Sequence, residues 1–125
     1  MTGKKVLIVD DEKELLKALS IRLTSWGYDV LTADSGEEAI SLVEKEVLDM
    51  LILDIMMPVM NGIETLKRIR GFNQKIPVLM MTAYSKEAII KDLGELGISG
   101  FIPKGSDFGC TSEIIKTILK GAKSK

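Results

Sequence analysis

Short, continuous apolar runs alternate with longer amphipathic segments along the chain, and this alternation is the strongest constraint on the fold. Three of the runs, 6–9, 50–53 and 78–81, are too short for helices. Runs that are apolar at every position are typical of strands buried on both faces of a parallel sheet. Two weaker strand candidates, 28–32 and 100–102, are expected nearer the sheet edges.

The segments between these runs carry apolar residues at helical spacing. The stripes are Leu15, Leu19, Leu23 and Trp26; Ala39, Ile40, Val43 and Val47; Ile63, Leu66 and Ile69; Ala88, Ile89 and Leu93; and Ile114, Ile115, Ile118 and Leu119. Ser35 with Glu38, and Asn61 with Glu64, have the spacing of a helix N-cap and its third residue. The pattern therefore predicts five βα units, with a mainly parallel sheet between two layers of helices.

The chain of 125 residues has the length of a single domain, and no repeat, low-complexity run or linker divides it. We expect one domain over 1–125, with a core over about 4–121 and a short frayed tail over 122–125. A hydrophobic content of 46% and a net charge of −1 exclude a disordered chain. Seventeen basic residues against eighteen acidic ones give no excess of positive charge for binding nucleic acid directly.

The scarcity of cysteine and the lack of histidine narrow the chemistry further. One cysteine and an N-terminus unlike a signal peptide favour a reducing, cytoplasmic setting. No apolar run approaches the roughly 20 residues that a membrane span requires. Without histidine the chain cannot form a Ser-His-Asp or Cys-His catalytic site or a His-ligated zinc site. The remaining chemistry has to use carboxylates, lysines, hydroxyls or a bound cation.

Polar side chains stand where the predicted strands end. Asp10 and Asp11 follow the first strand, Asp54 the third and Thr82 the fourth, and Lys104 lies two residues past the fifth. Because the carboxyl ends of parallel strands share one edge, where ligands bind, we expect these side chains to converge. Each has an ordinary alternative role: a helix cap for Asp10 or Asp11, strand propensity for Thr82, and solvation for Lys104.

Taken together, these five residues indicate phosphoryl chemistry. Three carboxylates at one edge repel one another unless a cation or a proton intervenes. Oxygen ligands without histidine or cysteine favour a hard ion such as Mg²⁺. Mg²⁺ beside a hydroxyl and an ammonium is suited to holding a phosphoryl group. One of the carboxylates would then act as nucleophile and form an aspartyl phosphate.

The segments that carry these residues resemble the receiver domain of two-component response regulators. The resemblance covers essentially the whole chain and rests on VLIVDDE at 6–12, DIMMPVMNG at 54–62, MTAY at 81–84 and GISGFIPK at 97–104. It implies a flavodoxin-like fold with the strand order 2-1-3-4-5.

The resemblance also implies a role for each acid. Asp54 would be the phosphoacceptor, and Asp10 and Asp11 would hold Mg²⁺ together with Asp54 and the backbone carbonyl of Met56. The domain would catalyse its own phosphorylation and dephosphorylation. The resemblance further implies that a histidine kinase or a histidine phosphotransfer protein supplies the phosphoryl group. This chain contains no histidine, so it cannot itself be the phosphohistidine donor.

The remaining site residues would connect the phosphoryl group to a partner. Thr82 and Lys104 would contact the phosphoryl oxygens, and Phe101 would be an aromatic switch that turns inward as Thr82 moves towards the phosphate. A downstream protein or output domain would read the face formed by the fourth helix, the fifth strand and the fifth helix.

Several residues near the site depart from the family pattern or modify it. Gly105 follows Lys104 where the family usually has a proline, and Pro103 precedes it, so we expect a more mobile loop and a less firmly placed lysine. Met56 is a poor hydrogen-bonding group for orienting water, and Tyr84 is placed to shade the site. We therefore predict a long-lived aspartyl phosphate.

Three other functions are alternatives to a phosphorylation switch. A flavodoxin-like FMN binder would need a neutral loop after the first strand, whereas Asp10, Asp11 and Glu12 would repel a phosphate that lacks a metal. A phosphatase of the haloacid dehalogenase type expects two aspartates two positions apart and a capping insertion, and the sequence has neither. A pseudo-receiver that only docks partners remains open, although the complete set of site residues argues against it.

Overall fold

Five parallel strands form a single sheet in the order β2-β1-β3-β4-β5. The computed structural model describes residues 3–55, 57, 60–82, 97–103 and 113–119. The elements are β1 (Lys5–Val9), α1 (Lys13–Ser25), β2 (Asp29–Ala33), α2 (Gly36–Lys45), β3 (Met50–Asp54), α3 (Gly62–Arg70), β4 (Val78–Thr82) and β5 (Gly100–Pro103), followed by helical residues 113–119. The predicted fold class and strand order are confirmed. The predicted helix with Ala88, Ile89 and Leu93, and the predicted tail over 122–125, lie outside the described residues.

Strand β1 lies between β2 and β3 and shows why the apolar runs are continuous. Val6 and Ile8 point to the face covered by α1 and residues 113–119, whereas Leu7 and Val9 point to the face covered by α2 and α3. None of these four side chains has exposed surface. Since both faces are covered, the four positions after Lys5 are all apolar.

Helix α2 confirms one predicted start and corrects a predicted stripe. The Ser35 hydroxyl accepts a hydrogen bond from the Glu38 N–H at 3.2 Å, as the cap spacing predicts. The helix ends at Lys45, so Val47 lies beyond it and is 88% exposed instead of completing the apolar stripe.

In α1 the prediction missed Leu16, which is buried with Leu19 and Leu23, while Leu15 and Trp26 are only partly buried. None of the described helices has the length and hydropathy of a membrane span.

Tyr28 carries a prediction about stability in alkaline solution. Its side chain is 5% exposed in the core on the α1 face, and this burial raises the pKa of the phenol. The folded state therefore retains the proton to a higher pH than the unfolded state. This contribution to stability is complete below the unfolded pKa of about 10 and is lost as the pH rises through the folded pKa. Chemical denaturation from neutral pH to above about pH 10 should show a steeper loss in wild type than in Tyr28→Phe. Parallel curves of unfolding free energy against pH for the two proteins would contradict this role of Tyr28.

Candidate functional site

Three carboxylates meet at the carboxyl edge of the sheet, where β1 and β3 end. Asp10 directly follows β1, Asp11 comes next, and Asp54 is the last residue of β3. One carboxylate oxygen from each residue lies within 4.8 Å of the other two. Asp10 and Asp54 have no exposed surface, whereas Asp11 is exposed. The topology therefore places two buried acids beside one that reaches solvent.

The local hydrogen bonds fix Asp10 at the end of its strand. Its backbone N–H donates to the Ala33 carbonyl oxygen at 3.1 Å, which continues the pairing of β1 with β2. Its carboxylate Oδ1 accepts the N–H of Glu12 at 2.9 Å. Helix α1 has Glu12 as its N-cap, and the Glu12 side chain makes no capping hydrogen bond. Asp10 and Asp11 therefore do not occupy the N-cap position considered as their alternative role.

Two of the other predicted site residues, Thr82 and Phe101, lie on described strands. Thr82 ends β4, and its backbone is in register with Pro103 at the end of β5. Both strands therefore end at the edge of the sheet that carries the acids. Phe101 is partly buried and packs against the core on the face of α2 and α3. Met56, Tyr84, Lys104 and Gly105 lie outside the described residues.

The donor set of the three acids suits a hard divalent cation. All the side-chain donors are carboxylate oxygens, which Mg²⁺ and Ca²⁺ prefer to nitrogen or sulfur ligands. Negative charges this close, two of them shielded from water, repel one another unless a cation or proton neutralises them. The exposed position of Asp11 leaves one side of the cluster accessible from solvent. The residues therefore fit a hard divalent cation such as Mg²⁺ that is reached from solvent on the side of Asp11.

Sequence reasoning missed how tightly helix α3 is packed against Asp54. The N–H of Gly62, the first residue of α3, donates to the Ile55 carbonyl oxygen at 2.8 Å. A Cβ at this position would overlap the Asp54 carbonyl oxygen and would lie 2.8 Å from the Ile55 Cα. The sequence contains a signal for this contact, since Gly62 directly follows the N-cap Asn61, where a better helix former would be expected.

Comparison with known proteins identifies the family of the chain. A family model described as the response regulator receiver domain matches residues 6–117. The alkaline phosphatase synthesis transcriptional regulatory protein PhoP of Bacillus subtilis is 40% identical over 119 residues, covering 94% of this chain and 49% of that protein. A CheY-like receiver domain protein from Methanospirillum hungatei superposes with a TM-score of 0.94 at 26% identity, covering 98% of each chain. TrrA of Thermotoga maritima, solved in complex with Mg²⁺-BeF, has a TM-score of 0.82 at 31% identity, covering 92% of this chain and 98% of TrrA.

An open parallel sheet with the order 2-1-3-4-5 and helices on both faces defines the flavodoxin-like class of α/β domains, and in this chain an acidic cluster lies at the carboxyl edge of the sheet. Within that class, the chain belongs to the response regulator receiver domain family. The chain spans about a quarter to a half of the length of curated relatives that it matches.

Proposed function

We propose that the domain is a phosphorylation-activated switch that accepts a phosphoryl group on Asp54. The observation that carries this proposal is the cluster of Asp10, Asp11 and Asp54 at the carboxyl edge of the sheet. Asp54 is the last residue of the central strand β3, which pairs with β1 on one side and with β4 on the other, so the backbone that carries its carboxylate is anchored in the sheet. A fixed nucleophile reduces the entropic cost of reaching the in-line geometry for transfer.

The reaction we infer is a displacement at phosphorus. An oxygen of the Asp54 carboxylate forms a bond to phosphorus while the phosphorus–nitrogen bond of a phosphohistidine breaks, and the donor imidazole leaves with the electron pair. The proposed donor is a histidine kinase or a histidine phosphotransfer protein, as membership of the receiver family suggests. This chain contains no histidine, so it cannot supply the phosphohistidine itself. The product is a mixed anhydride on Asp54 that carries negative charge into the acidic cluster.

Magnesium is the proposed cofactor, held by Asp10, Asp11, Asp54 and the backbone carbonyl of Met56. When bound, it supplies neutralising charge for the phosphoryl oxygens. The structure of TrrA with Mg²⁺-BeF supports this assignment by analogy, since TrrA and this chain share the receiver fold. Lys104 and the hydroxyl of Thr82 would supply further contacts to the phosphoryl oxygens.

The proposed response to phosphorylation passes through β4 and β5. Thr82 and Phe101 lie on these two adjacent strands, and Met80 of β4 is in register with Phe101. Movement of Thr82 towards the phosphoryl group would let the partly buried Phe101 ring turn inward. A downstream protein or an output domain would then bind the face of β5, residues 113–119 and the predicted helix around Ala88–Leu93.

The proposal is tested by intact-protein mass spectrometry after incubation with acetyl phosphate, with Mg²⁺ or with a chelator. We expect one phosphoryl adduct in Mg²⁺ and none in the chelator. Because some receivers need a cognate kinase, an absent adduct is followed by titration with Mg²⁺ and beryllofluoride. Failure to bind either would overturn the phosphorylation proposal and favour a pseudo-receiver that only docks partners.

A further inference from the structure

The first turns of α2 and α3 lie so close together that no side chain fits at Gly36. A Cβ built on Gly36, the first residue of α2, would overlap the hydroxyl oxygen of Thr65 in α3 and would lie 3.1 Å from the sulfur of Met60. Thr65 has no exposed surface, and Met60 is 8% exposed. Among the described glycines, those with positive φ are Gly3, Gly27 and Gly97. Space, and not backbone conformation, therefore requires glycine at position 36.

Thr65 connects this contact to the loop that precedes α3. Its hydroxyl donates to the Asn61 carbonyl oxygen at 2.9 Å, and its backbone N–H donates to the same oxygen at 3.0 Å. Asn61 and Glu64 close a reciprocal capping box around the same turn. The turn beginning at Gly62 is in turn packed against the backbone of Asp54. A displacement of Thr65 would therefore be transmitted to Asp54 through one short turn of helix.

The other end of the same connection reaches Asp10. Gly36 is preceded by Asp34 and by Ser35, the α2 N-cap, and Asp34 donates its N–H to a carboxylate oxygen of Glu38 at 3.0 Å. Ala33, at the end of β2, accepts the backbone N–H of Asp10 at 3.1 Å. Residues 33–36 therefore link the strand end that carries Asp10 to the helix turn that supports Asp54. We name residues 33–36 together with Thr65 the α2 brace.

We propose that the α2 brace sets the separation of Asp10 and Asp54, and that Gly36 and Thr65 are positioning residues for the divalent cation and for phosphoryl transfer. This inference rests on the proposed function, because it assigns the brace to the same acidic site. Groups outside the ligand set that orient the ligands commonly contribute 10–100-fold to metal affinity, roughly the size of the effect expected here. The brace would also make the packing of α2 on α3 sensitive to occupation of the site.

A double-mutant cycle between Gly36 and Thr65 tests the brace. Gly36→Ala places a methyl group on the Thr65 hydroxyl oxygen and pushes the first turn of α3 away, so we expect Mg²⁺ affinity to fall roughly tenfold or more. Thr65→Ala removes that oxygen and leaves the Asn61 carbonyl oxygen bonded to the backbone N–H. The double variant should therefore recover most of the affinity lost in Gly36→Ala. Mg²⁺ binding is measured by isothermal titration calorimetry at a temperature where every variant is folded.

Ile69→Ala provides the matched control for general destabilisation. Ile69 is fully buried near the opposite end of α3, so its truncation weakens the α2–α3 core without touching the brace. We expect lower stability with unchanged Mg²⁺ affinity. If Gly36→Ala lowers stability but leaves the affinity of the folded protein unchanged, Gly36 is a packing residue only and the proposal is wrong. If Gly36→Ala does not fold, recovery of folding in the double variant supports the steric coupling, and no recovery contradicts it.

Amide hydrogen exchange separates failure of the brace from failure of the proposed function. The N–H groups of Asp10 and Gly62 bond to Ala33 and Ile55, at the two ends of the connection. We expect both amides to exchange faster in Gly36→Ala and to return towards wild-type rates in the double variant, with or without metal. A wild-type protein that binds no Mg²⁺ would overturn the cation site alone. Unchanged exchange at both amides in Gly36→Ala would overturn the brace alone.

Discussion

Asp54→Asn is expected to abolish the phosphoryl adduct completely in intact-protein mass spectrometry with acetyl phosphate and Mg²⁺. The amide nitrogen and oxygen of asparagine cannot replace the carboxylate as a nucleophile for phosphorus, while the side chain keeps nearly the same size. The substitution also removes one of three neighbouring negative charges, so the variant without metal should be no less stable than wild type. Loss of the adduct in a folded variant would therefore show that the nucleophile is missing, and not that the domain has unfolded.

Asp49→Asn is the matched control, because it makes the same chemical change at the opposite edge of the sheet. Asp49 precedes β3, and its carboxylate accepts the backbone N–H of Lys5 at 2.8 Å. Asparagine preserves that acceptor, so phosphoryl uptake should match wild type. An adduct that persists in Asp54→Asn, or that disappears in both variants, would contradict the assignment of Asp54 as the phosphoacceptor.

Gly62→Ala is expected to destabilise the domain by about 2 kcal/mol or more, because overpacking against rigid atoms is costly. The added methyl group would overlap the Asp54 carbonyl oxygen and lie 2.8 Å from the Ile55 Cα, and neither backbone atom can move without displacing β3 or its loop. Helix propensity favours alanine by only about 1 kcal/mol, so the steric term decides the sign. Phosphoryl uptake by the folded fraction should also fall, since the collision is with the backbone of the acceptor residue.

Gly71→Ala is the corresponding control at the other end of α3. Gly71 has φ −66° and ψ −24°, which any residue adopts. A Cβ there lies 3.2 Å from its nearest neighbour, the Arg68 carbonyl oxygen of the preceding turn. We expect a stability change of less than about 1 kcal/mol and normal phosphoryl uptake. Urea denaturation of the two variants checks both values, and equal stability of Gly62→Ala and wild type would contradict the steric account.

The strands were predictable because burial on both faces of the sheet requires an apolar residue at nearly every strand position, and such runs are visible in the sequence. The run over 50–53 became Met50–Asp54 and the run over 78–81 became Val78–Thr82, an agreement within one residue. The convergence of the three acids also followed from strand direction alone, since each acid stands at or after a strand end. In a parallel sheet, residues that follow different strands in the sequence therefore become neighbours at one edge of the sheet.

Helix ends and helix–helix contacts were less predictable, because they depend on neighbours distant in sequence. The apolar spacing placed Val47 on a stripe, although α2 ends at Lys45. The requirement for glycine at position 36 comes from Thr65, and no local pattern connects the two. Even so, both α2 and α3 begin with a glycine directly after the N-cap, and this poor helix former at two equivalent positions marks a close approach.

The strand order has a consequence for the course of synthesis. β1 is paired with β2 on one side and with β3 on the other, but α1, β2 and α2 are all translated before β3. As the polypeptide leaves the ribosome, one hydrogen-bonding edge of β1 therefore stays unpaired until β3 (Met50–Asp54) has emerged. That edge belongs to an apolar segment of the kind that aggregates when left unpaired. Pairing with β3 closes that edge of β1, and the free edge of β3, which ends at Asp54, then stays open until β4 (Val78–Thr82) has emerged.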